Sequence, residues 1–161
     1  MGIPALSSVL LDTSACIYFL DGSTDDRRHR EVAALVERAE DGALTIVLSP
    51  ISVAELLVPP IRASDVEAEA MVRLFVSRLC QVVPATDVTA SSAVLLRSKY
   101  GLRLPDAFVL ASAVQHSVEA VVGNDRSVEA RRGDPIPPHR RRDRRIAPSP
   151  SAFEYDPGRK S

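Results

Sequence analysis

Ser8-Val-Leu-Leu-Asp-Thr-Ser-Ala-Cys-Ile-Tyr-Phe-Leu20 decides the architecture. A four-residue apolar run ends on Asp12 and passes, with no glycine-rich turn, into a helical pattern over 13–20. A strand so short and so nearly all apolar suits a parallel sheet covered on both faces. Leu44-Thr-Ile-Val-Leu48, Gln81-Val-Val83 and Ala120-Val-Val122 read the same way. Between them the spacing predicts helices over 28–40, 50–58, 64–80, 86–99 and 105–117. Ser49 before Pro50, Ser64-Asp65, and Leu104-Pro105-Asp106 are helix-start signals, while Asp41-Gly42 and Tyr100-Gly101 are stops. Strands alternating with helices through short loops predict a three-layer α/β/α sandwich on a parallel sheet of four to five strands. The fifth would be an edge strand around Arg145-Ile-Ala147.

The chain of 161 residues is 45% hydrophobic and 25% charged, enough to bury one core and too apolar for disorder throughout. The expected division is a folded domain over 1–130 and a basic, Pro/Arg-rich tail over 131–161, extended or disordered. Cys16 and Cys80 have no metal-ligand spacing, which argues against a thiolate zinc site or a disulfide scaffold. No apolar run approaches the ~18 residues of a membrane span, and no leader pattern opens the chain. The protein is therefore expected to be soluble and cytoplasmic. Its net charge of −1 hides a division. Residues 1–125 carry 16 acidic against 10 basic side chains, and residues 126–161 carry 5 against 10. With three Tyr, four Phe and no Trp, base-stacking platforms are not expected.

The acids of the body concentrate at predicted strand ends. In an open parallel sheet, ligands bind beyond the carboxyl ends of the strands, where the strand order reverses. Asp12 follows the first strand, and Asp125 lies three residues past Val122. Asp106 opens a helix that must run antiparallel to the strands, so it begins at the same rim. Glu55 stands at the sixth position of a helix capped by Ser49, beyond the reach of the orphan amides, and flanked by Val53, Ala54, Leu56 and Leu57. Each acid also has an ordinary explanation: Asp12 as a helix cap, Asp106 as a first-turn acid, Asp125 as a turn residue, and Glu55 as half of a capping box with Ser52. Taken together at one rim they would repel unless protonated or offset by a cation. A site of hard oxygens without His or Cys selects Mg²⁺ or Mn²⁺. Such an ion clamps phosphate oxygens and activates water, which points to phosphodiester hydrolysis.

These residues also carry a likeness. Leu11-Asp-Thr-Ser-Ala-Cys-Ile17, Ser52-Val-Ala-Glu-Leu56, Leu104-Pro-Asp-Ala107 with Ala111 and Ala113, and Val121-Val-Gly-Asn-Asp125 resemble the motifs of PIN-domain ribonucleases, most of all VapC-type toxins of toxin–antitoxin pairs. The resemblance spans residues 8–128. It implies a PIN-like fold and a metal-dependent endoribonuclease acting as the toxin of a type II pair. Asp12, Glu55, Asp106 and Asp125 match the family's acidic quartet. By that likeness Asp12 and Asp106 are direct ligands of Mg²⁺ or Mn²⁺, and Asp125 is direct or through water. Glu55 orients water or completes the metal shell. Ser14 would hydrogen-bond the cluster or a phosphate, and Asn124 would supply a polar group beside it. The pattern is departed from in two places: Gly123 stands where the family usually has Thr or Ser, and Ser127-Val128 replaces a common Asp-Phe.

Outside the quartet, Arg140, Arg141, Arg142, Arg144 and Arg145 are candidates for RNA backbone contact, or equally for a solvated tail or a contact with an acidic partner. His116 is a lone histidine with little claim to catalysis. The helix over 64–80 has apolar residues at Val66, Ala70, Met71, Leu74, Phe75 and Leu79, widened by Val72 and Val76. Such a stripe is ordinarily core, and its surplus would suit a homodimer or antitoxin face, both of which the resemblance implies. Two rival functions remain at this level. One is a catalytically weak PIN-like RNA-binding or regulatory module. The other is a phosphoryl-transfer protein with Asp12 as nucleophile, disfavoured because Ser14 stands where such enzymes place a second Asp. A dinucleotide-binding fold is disfavoured because the turn after Leu11 lacks glycines.

Overall fold

The computed structural model describes residues 6–22 and 26–123. The elements in chain order are β1 (Ser8–Leu11), α1 (Thr13–Leu20), α2 (Arg27–Glu40), β2 (Thr45–Leu48), α3 (Pro50–Ala63), α4 (Val66–Leu79), β3 (Cys80–Val82), α5 (Asp87–Tyr100), α6 (Leu104–Gln115) and β4 (Ala120–Val122). All three strand pairings are parallel, and the sheet order is β3-β2-β1-β4. The proposed edge strand at 145–147 and the whole tail lie outside the described residues.

Strands β1, β2 and β4 alternate between two cores, as a pleat of period two dictates, while the edge strand β3 leaves Gln81 and Val82 exposed. Val9, Leu11, Ile46 and Leu48 face one side, where they pack with Ala15 and Cys16 of α1, Val32 and Val36 of α2, Leu56 of α3 and Val72 and Phe75 of α4. Leu10, Val47 and Val121 face the other, against Ala93 of α5 and Ala107, Leu110 and Ala111 of α6. The sheet is therefore the middle of three layers, as expected from its uninterrupted apolar strands. Small residues along α6 let it lie close to the sheet, and α5 packs over it. Both thiols are raised by burial, Cys80 to about 12 and buried Cys16 further, so neither supplies a thiolate at neutral pH.

Element ends agree with the sequence to within a few residues, with one informative exception. Helix α3 runs on past 58 through Pro59 and Pro60 to Ala63. Each proline removes an amide donor from the helix. The last turn is held instead by tertiary and capping contacts. Pro60 is buried, Ser64 takes a left-handed conformation at φ 54, and the Asp65 amide donates to the Pro60 carbonyl at 2.9 Å. On α4 the apolar stripe divides. Val72 and Phe75 are buried, while Val66, Met71 and Leu74 remain exposed beside Val58 and Ile61 of α3. A groove of about 550 Å³ lies between the two helices, lined by Val53, Leu57, Ala70 and Leu74 among others. No helix among the described residues is long and apolar enough to cross a membrane.

Leu48 is fully buried and Leu95 is 70% exposed on α5. Leu48→Ala is expected to lower unfolding free energy by about 2–5 kcal/mol, and Leu95→Ala by no more than about 0.5 kcal/mol, both read by urea denaturation. The buried hydroxyl of Ser52 has no partner among the described residues. Ser52→Ala should therefore be neutral or stabilising by about 1 kcal/mol in the same assay.

Candidate active site at the β1–β4 crevice

Strand order 3-2-1-4 reverses direction between β1 and β4, so the crevice where a parallel sheet presents ligands opens at the carboxyl ends of these two strands. Asp12 follows β1 at that point, and its amide donates to the Val122 carbonyl of β4 at 3.0 Å. The reading of Asp12 as a helix cap is borne out, and that cap stands at the switch point. Its Oδ1 accepts from the Ala15 amide at 2.9 Å and from the Ser14 hydroxyl at 2.6 Å. Asp12 is thus the N-cap of α1, and its second oxygen, Oδ2, has no donor among the described residues.

Glu55 stands on the exposed side of α3, away from the sheet. It does have a partner: Thr13 Oγ1 donates to Glu55 Oε2 in a short hydrogen bond. That contact joins the acid of α3 to the residue next to Asp12. Thr13 went unnoticed in the sequence, although its hydroxyl beside a candidate acid was visible there. Asp106 lies in the first turn of α6, exposed, at the end of the helix that begins on the same side as the strand termini. His116 is the C-cap of α6, at the far end of that helix from Asp106. Asn124, Asp125 and Arg140, Arg141, Arg142, Arg144 and Arg145 lie outside the described residues.

The first turn of α1 supplies hydrogen bonds to two of the acids, Ser14 and the Ala15 amide to Asp12 and Thr13 to Glu55. These donors fix the orientation of one oxygen on each of the two carboxylates. Among the described residues, no three His, Cys, Asp or Glu side chains stand close enough to hold one ion. Asp12, Glu55 and Asp106 therefore do not form a metal cage without further ligands. The donor chemistry fits a hard cation all the same: the open atom is a carboxylate oxygen, and no thiolate or imidazole accompanies it.

A PIN-domain family model matches residues 9–133. The chain belongs to the PIN-domain family. No curated protein is significantly similar to it. Among solved structures, this PIN domain is similar to a chain of a toxin–antitoxin complex from Klebsiella pneumoniae, at 27% identity over 70% of this chain and 82% of that one, with a TM-score of 0.55. VapBC2 from Rickettsia felis, bound to a DNA fragment from its promoter, matches at 18% identity over 73% of this chain and 87% of that one, with a TM-score of 0.57. VapC20 from Mycobacterium tuberculosis, a toxin that cleaves the sarcin–ricin loop, matches at 16% identity over 73% and 89%, with a TM-score of 0.53. The last two likenesses are of fold.

Because Asp12 caps α1, its two substitutions should separate structure from chemistry. Asp12→Asn keeps a good cap and is expected to stay within about 0.5 kcal/mol of the parent. Asp12→Ala loses about 1 kcal/mol by the same reasoning, measured by urea or thermal unfolding.

Proposed function

We propose that this PIN domain is a Mg²⁺- or Mn²⁺-dependent endoribonuclease, a hydrolase of RNA phosphodiester bonds, and the toxin of a toxin–antitoxin pair. The single observation that carries the proposal is the arrangement at the switch point: Asp12 with one oxygen open, and Glu55 tied to the adjacent Thr13. Membership of the PIN family and the likeness to toxin–antitoxin structures support the same reading.

In this reading Asp12 Oδ2, Asp106 and Asp125 hold the cation, with Asn124 and Ser14 supporting them by hydrogen bonds. When bound, the cation supplies Lewis acidity toward the phosphate and the departing oxygen. Ser14 and the Ala15 amide hold Oδ1 and so leave Asp12 little freedom to turn. Thr13 fixes one oxygen of Glu55, which leaves Oε1 to accept a hydrogen bond from the attacking water and orient it. The acidic body repels an RNA backbone, and Arg140, Arg141, Arg142, Arg144 and Arg145 would offset that repulsion with salt-dependent affinity. The exposed apolar residues of α3 and α4 suit a protein partner, an antitoxin or a second copy in a homodimer. The nuclease domain is taken as 1–130 and the basic tail as 131–161.

Purified protein incubated with total cellular RNA tests the chemistry. Cleavage is expected with Mg²⁺ or Mn²⁺, none in excess EDTA, and return of activity when the metal is replaced. Asp12→Asn should lower the rate by at least about 100-fold, roughly 3 kcal/mol of transition-state stabilisation, at unchanged Tm. Thr13→Val, which frees Glu55, should lower it by about tenfold. RNA that is bound but left intact under every metal condition would replace the nuclease with a PIN-like RNA-binding module.

A further inference from the structure

We infer that Gly123 is a positioning residue: the missing side chain at the end of β4 is what lets the Asp12 carboxylate hold its capping position with Oδ2 open. The first part concerns packing alone, and the consequence for a cation rests on the proposed nuclease reading.

A Cβ built on Gly123 would lie 2.1 Å from Asp12 Oδ2, 2.6 Å from Asp12 Cγ and 3.1 Å from Asp12 Oδ1. Separations below 3.0 Å do not occur for real Cβ atoms, so one side must give way. All three of the nearest atoms belong to one carboxylate, and the conflict is confined to it. Gly123 itself has no left-handed φ, unlike Gly22, Gly42 and Gly101. Its backbone is one that alanine adopts, and the requirement for glycine is one of space.

Two responses to a Cβ are open, and both disturb Asp12. The carboxylate can turn about its Cα–Cβ bond, which draws Oδ1 away from the Ala15 amide and the Ser14 hydroxyl. Otherwise the end of β4 must withdraw, against the Asp12–Val122 hydrogen bond at 3.0 Å and the Leu11–Val122 register. The strand geometry is shared by the whole β1–β4 pairing, whereas the carboxylate moves alone. Turning is the response expected, with loss of the cap and removal of Oδ2 from the crevice. A hydroxyl side chain at 123 meets the same obstacle, because its Cβ occupies the same place. Glycine here is thus a requirement of this Asp12 conformation rather than a lost hydroxyl.

A two-background stability cycle tests this in metal-free protein. Gly123→Ala is expected to lower Tm by about 2–4 °C, the size of a lost cap in a chain of this length. Asp12→Ser keeps a capping oxygen but removes the carboxylate. On that background Gly123→Ala should change Tm by less than about 1 °C, or raise it through reduced entropy of the unfolded chain. Equal losses on both backgrounds would overturn the inference. Should Gly123→Ala alone fail to fold, recovery of folding in the Asp12→Ser, Gly123→Ala double variant supports it, and an unfolded double variant overturns it. Mn²⁺ binding, followed by the electron paramagnetic resonance of the free ion, adds a readout that a purely structural role would not move. Gly123→Ala and Gly123→Ser should each weaken Mn²⁺ by about tenfold or more; unchanged affinity overturns the positioning role. A parent protein that binds no Mn²⁺ would sink the nuclease reading, and the Tm cycle would then decide alone on Gly123.

Discussion

Everything at the crevice depends on one residue serving two ends of the backbone. Asp12 closes the β1–β4 pairing through its amide and begins α1 through its carboxylate. Helix starts leave amides unsatisfied, and a side-chain oxygen in the cap position satisfies one of them. Here that local need fixes the carboxylate at the topological switch point, where the fold exposes it. One oxygen is held by the helix, and the other is left over. A carboxylate at the switch point is thus positioned by the ordinary physics of starting a helix.

The neighbouring residues extend this economy. Thr13, Ser14 and Ala15 follow Asp12 directly, and each gives a donor to an acid, Thr13 across to α3 and the other two back to Asp12. Glu55 gains its fixed orientation from a helix it does not belong to. Gly123 contributes by what it lacks, since the space a side chain would fill is already taken by the Asp12 carboxylate. The first turn of α1 thus gathers donors for two acids of the body, Asp12 and Glu55. Away from this rim the surface has a different character, with apolar residues of α3 and α4 left beside an open groove.

Much of this was legible in the residue order because strong local signals agreed with one another. Continuous apolar strands called for cover on both faces, and the two cores supply it. Ser49 and Asp65 do cap their helices, and Gly101 ends α5 at φ 66. Less legible was α3, where Pro59 and Pro60 argue for an early stop. Burial of Pro60 and the left-handed Ser64 outweigh the two lost amide donors. Glu55 was singled out for its place in an apolar context, yet it faces outward, because one side of α3 never meets the sheet. Its partner Thr13 lies 42 residues away, and no local pattern announces such a pairing.

By itself the sequence determined the order of the elements, the three-layer architecture and the identity of the acids at strand ends and helix starts. Period, capping and strand length are properties of neighbouring residues, so they can be read along the chain. Tertiary structure alone decided that the open oxygen of Asp12 lies against the end of β4, that Thr13 holds Glu55, and that Gly123 must have no side chain. Those are distances between segments brought together by folding. The strand order that puts β4 beside β1, rather than at the other edge, is what brings Gly123 against Asp12.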